Sequence, residues 1–247
     1  MPGPKALILD RDGTVMLWDQ MFLACVADAC ERAGVAVPPT ATVLSYEFWD
    51  CLGRDRLVIG GRPVSIDVDS IPRGYLRAHG QPVPGALDAV TAIAAAGVTV
   101  AVVSSWTGTT ATRALLRSWG LEGAVALVLT ADDLGDDDPG DPAGRKRLVV
   151  RQALRDIGLD IGRDGGGPVW MAGDSASDIA AGREIGATCV GVLTGNGSRE
   201  SALMTAAGAD YVIPSLRCLP ALILDDASFD ACCRAGLEET LRCRLQA

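Results

Sequence analysis

Ala6-Leu7-Ile8-Leu9-Asp10-Arg11-Asp12-Gly13-Thr14 is the stretch on which the fold turns. Its apolar run, closed by a glycine-containing turn, predicts a buried strand. That strand delivers two carboxylates, Asp10 and Asp12, at its C-terminal end. Open α/β sheets place their ligand sites at that end. Two carboxylates one residue apart suit a hard cation such as Mg²⁺, which prefers oxygen ligands. Arg11 alternates away from both if the chain stays extended, and is expected to brace the loop rather than touch substrate.

Working outward, apolar helical spacing and short apolar runs alternate from Pro84 onward. Helices are predicted over 85–96, 109–119, 145–157, 178–185 and 200–207. Strands are predicted over 98–103, 124–129, 168–172, 188–193 and 211–213. Alternation of this kind implies a parallel sheet with right-handed crossovers, an α/β fold. The segment 17–81 breaks the rhythm, with helical patterns around 19–33 and 69–78 and a Gly- and Arg-rich middle. It is expected to form an inserted, mainly helical lobe above the strand ends, a position from which a lobe can cover a site. The acidic loop 135–144 is expected to be a solvated turn. Residues 225–247 are expected to add an amphipathic helical extension.

Composition narrows the function. The 247-residue chain is 49% hydrophobic but only 4% aromatic, so Ala, Val and Leu must fill the core. Its net charge of -9 argues against nonspecific nucleic-acid binding, which needs clustered cations. No apolar run reaches membrane-spanning length, and the first residues show no signal-peptide pattern. A cytoplasmic protein acting on a small molecule, as monomer or homodimer, is the expectation. The eight cysteines form no CxxC pair and His79 is the sole histidine. Free, mostly buried thiols are therefore expected, not a zinc site.

Three later segments converge with the first. The strand 98–103 runs into Ser104-Ser105, hydroxyls able to meet a phosphate oxygen. Arg145-Lys146-Arg147 opens a helix, where cations oppose the macrodipole and so predict a compensating anion. The strand 168–172 leads into Gly173-Asp174-Ser175-Ala176-Ser177-Asp178, a further carboxylate pair in which Asp178 can cap the next helix. With Asp10-Arg11-Asp12-Gly13-Thr14, Ser104 and a cation near 146, this order resembles the haloacid dehalogenase (HAD) superfamily of phosphohydrolases.

The resemblance implies a Rossmann-like core over 1–16 and 82–224, a helical cap over 17–81 and an extension over 225–247. It implies Mg²⁺-dependent hydrolysis of a small phosphorylated metabolite, with Asp10 as nucleophile and Asp12 as acid and base. Mg²⁺ would be held by Asp10, the Asp12 carbonyl and Asp174, with Asp178 acting through water or orienting that shell. Thr14, Ser104, Ser105 and Lys146 would form the phosphate site, Arg145 being the alternative cation, with Thr14 also orienting Asp12. Departures are visible: no lysine here precedes a proline, as is common at the family's third motif, and Ser105 stands where Asn is usual. For the substrate's remainder, Trp18 and Trp106 are candidate walls and Arg54, Arg56 and Arg62 candidate anion contacts. A sugar-phosphate mutase, or a catalytically silent binding protein, would use the same core.

Overall fold

The computed structural model describes residues 4–52, 57–159 and 169–224. The chain opens with β1 (Ala6–Asp10), β2 (Met16–Leu17), α1 (Asp19–Ala33), α2 (Thr40–Val43) and α3 (Tyr46–Leu52). A hairpin of β3 (Leu57–Ile59) and β4 (Arg62–Val64) follows, then α4 (Ser70–His79) and β5 (Gln81–Pro82). Strict alternation starts with α5 (Ala86–Ala95), β6 (Thr99–Val103), α6 (Thr109–Ser118) and β7 (Leu127–Leu129). It continues through α7 (Pro142–Asp156), β8 (Val169–Gly173), α8 (Ala176–Glu184), β9 (Thr188–Val192), α9 (Gly197–Ala206), β10 (Tyr211–Ile213) and α10 (Leu219–Ile223).

Six strands pair in parallel in the order β10-β9-β8-β1-β6-β7, giving the α/β sheet that the alternation implies. β1 is central because Ala6 to Leu9 carry nothing polar and are fully buried. Its side chains alternate. Leu7 and Leu9 join one core layer with Val100 and Val102, and Ile8 joins the other with Val103, Met171 and Val149. By the same parity Asp10 points with Ile8, toward the layer where α7 and α8 pack. The strand order also reverses beside β1, so a crevice opens at its C-terminal end.

Between β2 and β5 lies a lobe with an apolar core of its own, including Met21, Phe22, Val26, Ile71 and Leu76. β2 and β5 pair antiparallel, Met16 with Pro82 and Leu17 with Gln81, so the outgoing and returning chains are stitched together. The hairpin β3–β4 is an element that the helical reading of this lobe omits. Gly60 and Gly61 turn it with φ of 57° and 77°, the two successive left-handed residues that such turns require.

Three helices, α7, α8 and α9, start earlier than the apolar spacing predicts. Asp141 caps α7 through Gly144 N at 2.8 Å, with Pro142 in the first turn. Ser175 caps α8, and Asp178 reaches back to Ser175 N at 3.1 Å. The acidic loop is more than solvated: Asp138 accepts from Arg145 Nε at 2.8 Å. Cys25, Cys30 and Cys189 are buried free thiols. No described helix is long and apolar enough to cross a membrane. The extension expected over 225–247 lies outside the described residues.

Candidate active site

Asp10 ends β1 at the crevice, 3% exposed. Asp174 follows β8 and Asp178 sits in the first turn of α8, both buried. Carboxylate oxygens of the three lie within 4.8 Å of one another. Lys146, from the second turn of α7, donates to Asp10 Oδ1 and lies 2.8 Å from Asp178 Oδ1. Three carboxylates thus share one ammonium. Burial pushes the Asp10 carboxyl up to about 8, with Asp178 adding to the rise and Lys146 opposing it. Burial likewise holds Asp174 well above the usual carboxylate range, aided by Asp10 and Asp178. Burial would lower Lys146, but Asp10 and Asp178 outweigh it and raise the lysine. Asp178 Oδ1 is buried without an aligned hydrogen bond. Three clustered buried carboxyl groups offering an all-oxygen donor set fit a hard divalent cation.

Asp12 stands apart from this trio, held by Arg11 and Ser104. Arg11 does not alternate away from it, because β1 ends at Asp10 and the chain turns. Arg11 Nε donates to both Asp12 carboxylate oxygens at 3.0 Å, and Nη1 donates to Thr107 O and Thr112 Oγ1 at 2.8 Å. Ser104, expected on a phosphate oxygen, donates its hydroxyl to Asp12 Oδ2 at 2.7 Å and accepts from Trp106 N. Thr14 is fully buried, with no hydrogen-bond partner for its hydroxyl, and does not line the cleft.

Backbone from the loop after β9 completes the site, and sequence reasoning missed it. Asn196 N donates to Asp174 Oδ2 at 2.7 Å, and Thr194 Oγ1 donates to Gly13 O at 2.6 Å. Gly13 and Gly195 have φ of 84° and 54°, and a Cβ on either would overlap Asp174 Oδ2. A Cβ on Gly173 would collide with the Asp178 carboxylate. The polar, glycine-rich run Thr194-Gly195-Asn196-Gly197 directly after a strand was the available signal.

Asp10, Asp12, Lys146, Asp174, Asp178 and Asn196 line a cleft of about 180 Å³ together with Ser105, Ser175, Ser177 and Pro142. Trp18 and Trp106 line it, joined by Trp49, whose ring stacks on Phe22 at 4.3 Å and meets Trp106 at 5.2 Å. Arg62 is elsewhere, its Nη1 3.4 Å from Ala33 O on the exposed side of the lobe. Arg54 and Arg56 lie outside the described residues. Of the two candidate cations, Lys146 enters the cleft. Arg145 instead joins Asp138 to Asp69 of the lobe, 2.8 Å from each. The anions that compensate these helix-start cations are therefore the protein's own carboxylates.

Residues 145–219 match the family model described as "HAD-hyrolase-like". The D-glycero-beta-D-manno-heptose-1,7-bisphosphate 7-phosphatase of Pseudomonas aeruginosa is 31% identical over 130 residues, 48% of this chain and 70% of the relative. A haloacid dehalogenase-like family hydrolase from Streptococcus pneumoniae superposes with a TM-score of 0.61 at 18% identity, over 91% of this chain and 99% of that one. A hydrolase from Pseudomonas syringae superposes with a TM-score of 0.58 at 20% identity, over 92% and 99%. At these identities the superpositions show the fold alone. The sequence match over most of a phosphatase, on a sheet carrying acidic motifs at its strand ends, assigns the chain: it is a phosphohydrolase of the haloacid dehalogenase superfamily.

Proposed function

We propose that this protein is a Mg²⁺-dependent phosphatase of small phosphate monoesters in which Asp10 carries the phosphoryl group between two half-reactions. The observation that supports this most is Asp10 itself. It is buried at the end of the central strand, paired with Lys146 and beside Asp174 and Asp178. Asp10, Asp174, Asp178 and the Asp12 backbone carbonyl would hold Mg²⁺. When bound, the ion offsets the repulsion between an anionic nucleophile and an anionic phosphate.

The chain's own groups divide the remaining work. An Asp10 carboxylate oxygen attacks phosphorus, and the ester P–O bond breaks with its electron pair on the departing oxygen. Asp12 gives that oxygen a proton. Water then attacks the aspartyl-phosphate, Asp12 takes the water's proton, and cleavage of the P–O bond to Asp10 restores the carboxylate and frees phosphate. Lys146 and Ser105 face the phosphate oxygens. Ser104, bonded to Asp12, orients the acid.

The core spans 1–16 and 82–224 in this reading, and the lobe 17–81 is a cap that excludes water from the cleft. The lobe's Trp18 and Trp49, facing the core's Trp106, form an aromatic wall for the leaving group. A cleft of about 180 Å³ favours a small substrate.

The test is phosphate release from a panel of phosphorylated metabolites, with Mg²⁺ or EDTA. The panel includes the heptose bisphosphate named for the Pseudomonas relative. Turnover that requires Mg²⁺ and is abolished by Asp10→Asn is expected. Release that survives Asp10→Asn would refute the assignment of the nucleophile. Transfer to a second sugar hydroxyl without free phosphate would indicate a mutase.

A further inference from the structure

We propose that Arg11 is the positioning residue for Asp12 and fastens this acid–base group to the region where lobe and core meet. The proposal rests on the phosphatase reading of Asp10 and Asp12. Arg11 is 1% exposed and does not line the cleft, so it acts through another side chain. Its guanidinium fork holds Asp12 from one side: Nε bonds both carboxylate oxygens, and Nη2 lies 2.9 Å from Oδ2. Ser104 holds Oδ2 from another side. Asp12, unlike Arg11, lines the cleft, so the fork sets where the acid stands. A lysine, with one flexible ammonium, cannot reproduce a planar fork that binds a carboxylate while meeting two further acceptors.

The other edge of the fork is anchored. Nη1 donates to Thr107 O and Thr112 Oγ1, both buried around the start of α6. The Thr107 hydroxyl in turn donates to Asp69 O, immediately before the lobe's α4. Pro72 of α4 packs against Gly108 on the same side. A contiguous set of contacts therefore runs from the acid, through Arg11, to the segment that carries the lobe.

Leaving-group dependence separates positioning from general support of the fold. An alkyl phosphate releases a strongly basic oxygen that needs the proton of Asp12, whereas p-nitrophenyl phosphate releases a stable anion. kcat/KM reports the first half-reaction, in which the leaving group departs, and is the quantity to compare. General acid catalysis contributes about 10²–10⁴-fold. Arg11→Lys and Arg11→Met are expected to lose about 10- to 100-fold more kcat/KM on the best alkyl phosphate than on p-nitrophenyl phosphate. Asp12→Asn should show the same selectivity more strongly.

Equal losses on both substrates from Arg11 variants, with Asp12→Asn selective, would overturn the role of Arg11 alone. Wild-type protein inactive on both substrates would overturn the phosphatase reading and this proposal with it. If neither Arg11 variant unfolds cooperatively, Thr112→Val decides. It removes one anchor and leaves the contact with Asp12, so a smaller loss of the same selectivity supports the proposal and an unselective loss overturns it.

Discussion

Lys146 and Arg145 are neighbours in sequence but not in energy. Among the described residues Lys146 is the one cation in contact with the buried Asp10 and Asp178, so replacing it with Met leaves three crowded carboxylates without that counter-charge. In metal-free protein Lys146→Met is expected to destabilise the fold by about 3 kcal/mol or more, and added Mg²⁺ to restore part of that. Arg145 bonds Asp138 and a well-exposed Asp69, so Arg145→Met should cost about 1 kcal/mol or less. Urea melts with EDTA and with Mg²⁺ would rank the two. Asp10 brings a pH dependence. Its carboxyl is raised from an ordinary 3.8 to about 8, so between those values the folded protein keeps a proton that the unfolded chain has lost. Metal-free stability should therefore fall as pH rises through that window and level off above it. Mg²⁺ competes with the same proton, so its affinity should tighten as pH approaches about 8 and its binding should release protons. Titration calorimetry in buffers of different ionisation enthalpy checks both signs.

At the scale of elements, legibility followed the kind of interaction that each element uses. The central sheet strands announce themselves as short apolar runs because both of their faces are buried, as in Ala6 to Leu9. The carboxylates at their ends were equally visible, since their chemistry resides in side chains. The starts of α7 and α8 were set two or three residues late because Asp141 and Ser175 act as caps through backbone bonds that apolar spacing does not encode. The hairpin β3–β4 is only three residues a side, too short for periodicity, although Gly60-Gly61 marked its turn. Arg11 was misplaced because strand alternation was carried one residue beyond the strand's end. The loop 194–197 acts mainly through an amide and glycine backbone rather than a reactive side chain, so its glycine-rich composition after a strand was the one signal that it offered. Its importance is measurable. Gly13→Ala forces a Cβ onto Asp174 at φ 84°, and is expected to cost about 1 kcal/mol or more in stability and to weaken Mg²⁺ binding with it. A Gly13→Ala protein that binds Mg²⁺ like wild type would show that the close packing of Gly13, Gly195 and Asp174 is not needed.

Over the whole molecule, lobe and sheet domain meet at a mixed seam, where Leu115, Trp106 and Trp119 of the sheet domain pack into the lobe's apolar cluster beside ion pairs. The lobe has its own core, joined to the sheet domain by the β2–β5 pair and by the contacts of Asp69 with Arg145 and of Arg73 with Asp132. Interfaces between parts of one chain that combine apolar contacts with exposed ion pairs are where relative motion is expected. Mg²⁺ with inorganic phosphate is accordingly expected to slow amide hydrogen exchange in α4 and around Trp18 and Trp49, while central strands such as β1 stay protected throughout. Exchange unchanged in the lobe would argue against its closing over the cleft. The proposed activity rests on covalent transfer to Asp10, and one measurement addresses that step directly. A single turnover with Mg²⁺, quenched rapidly in acid and read by peptide mass spectrometry, should show a phosphoryl group on the peptide bearing Asp10 that appears and then decays as phosphate is released. Turnover with no such adduct, or with the phosphoryl group on another residue, would contradict it.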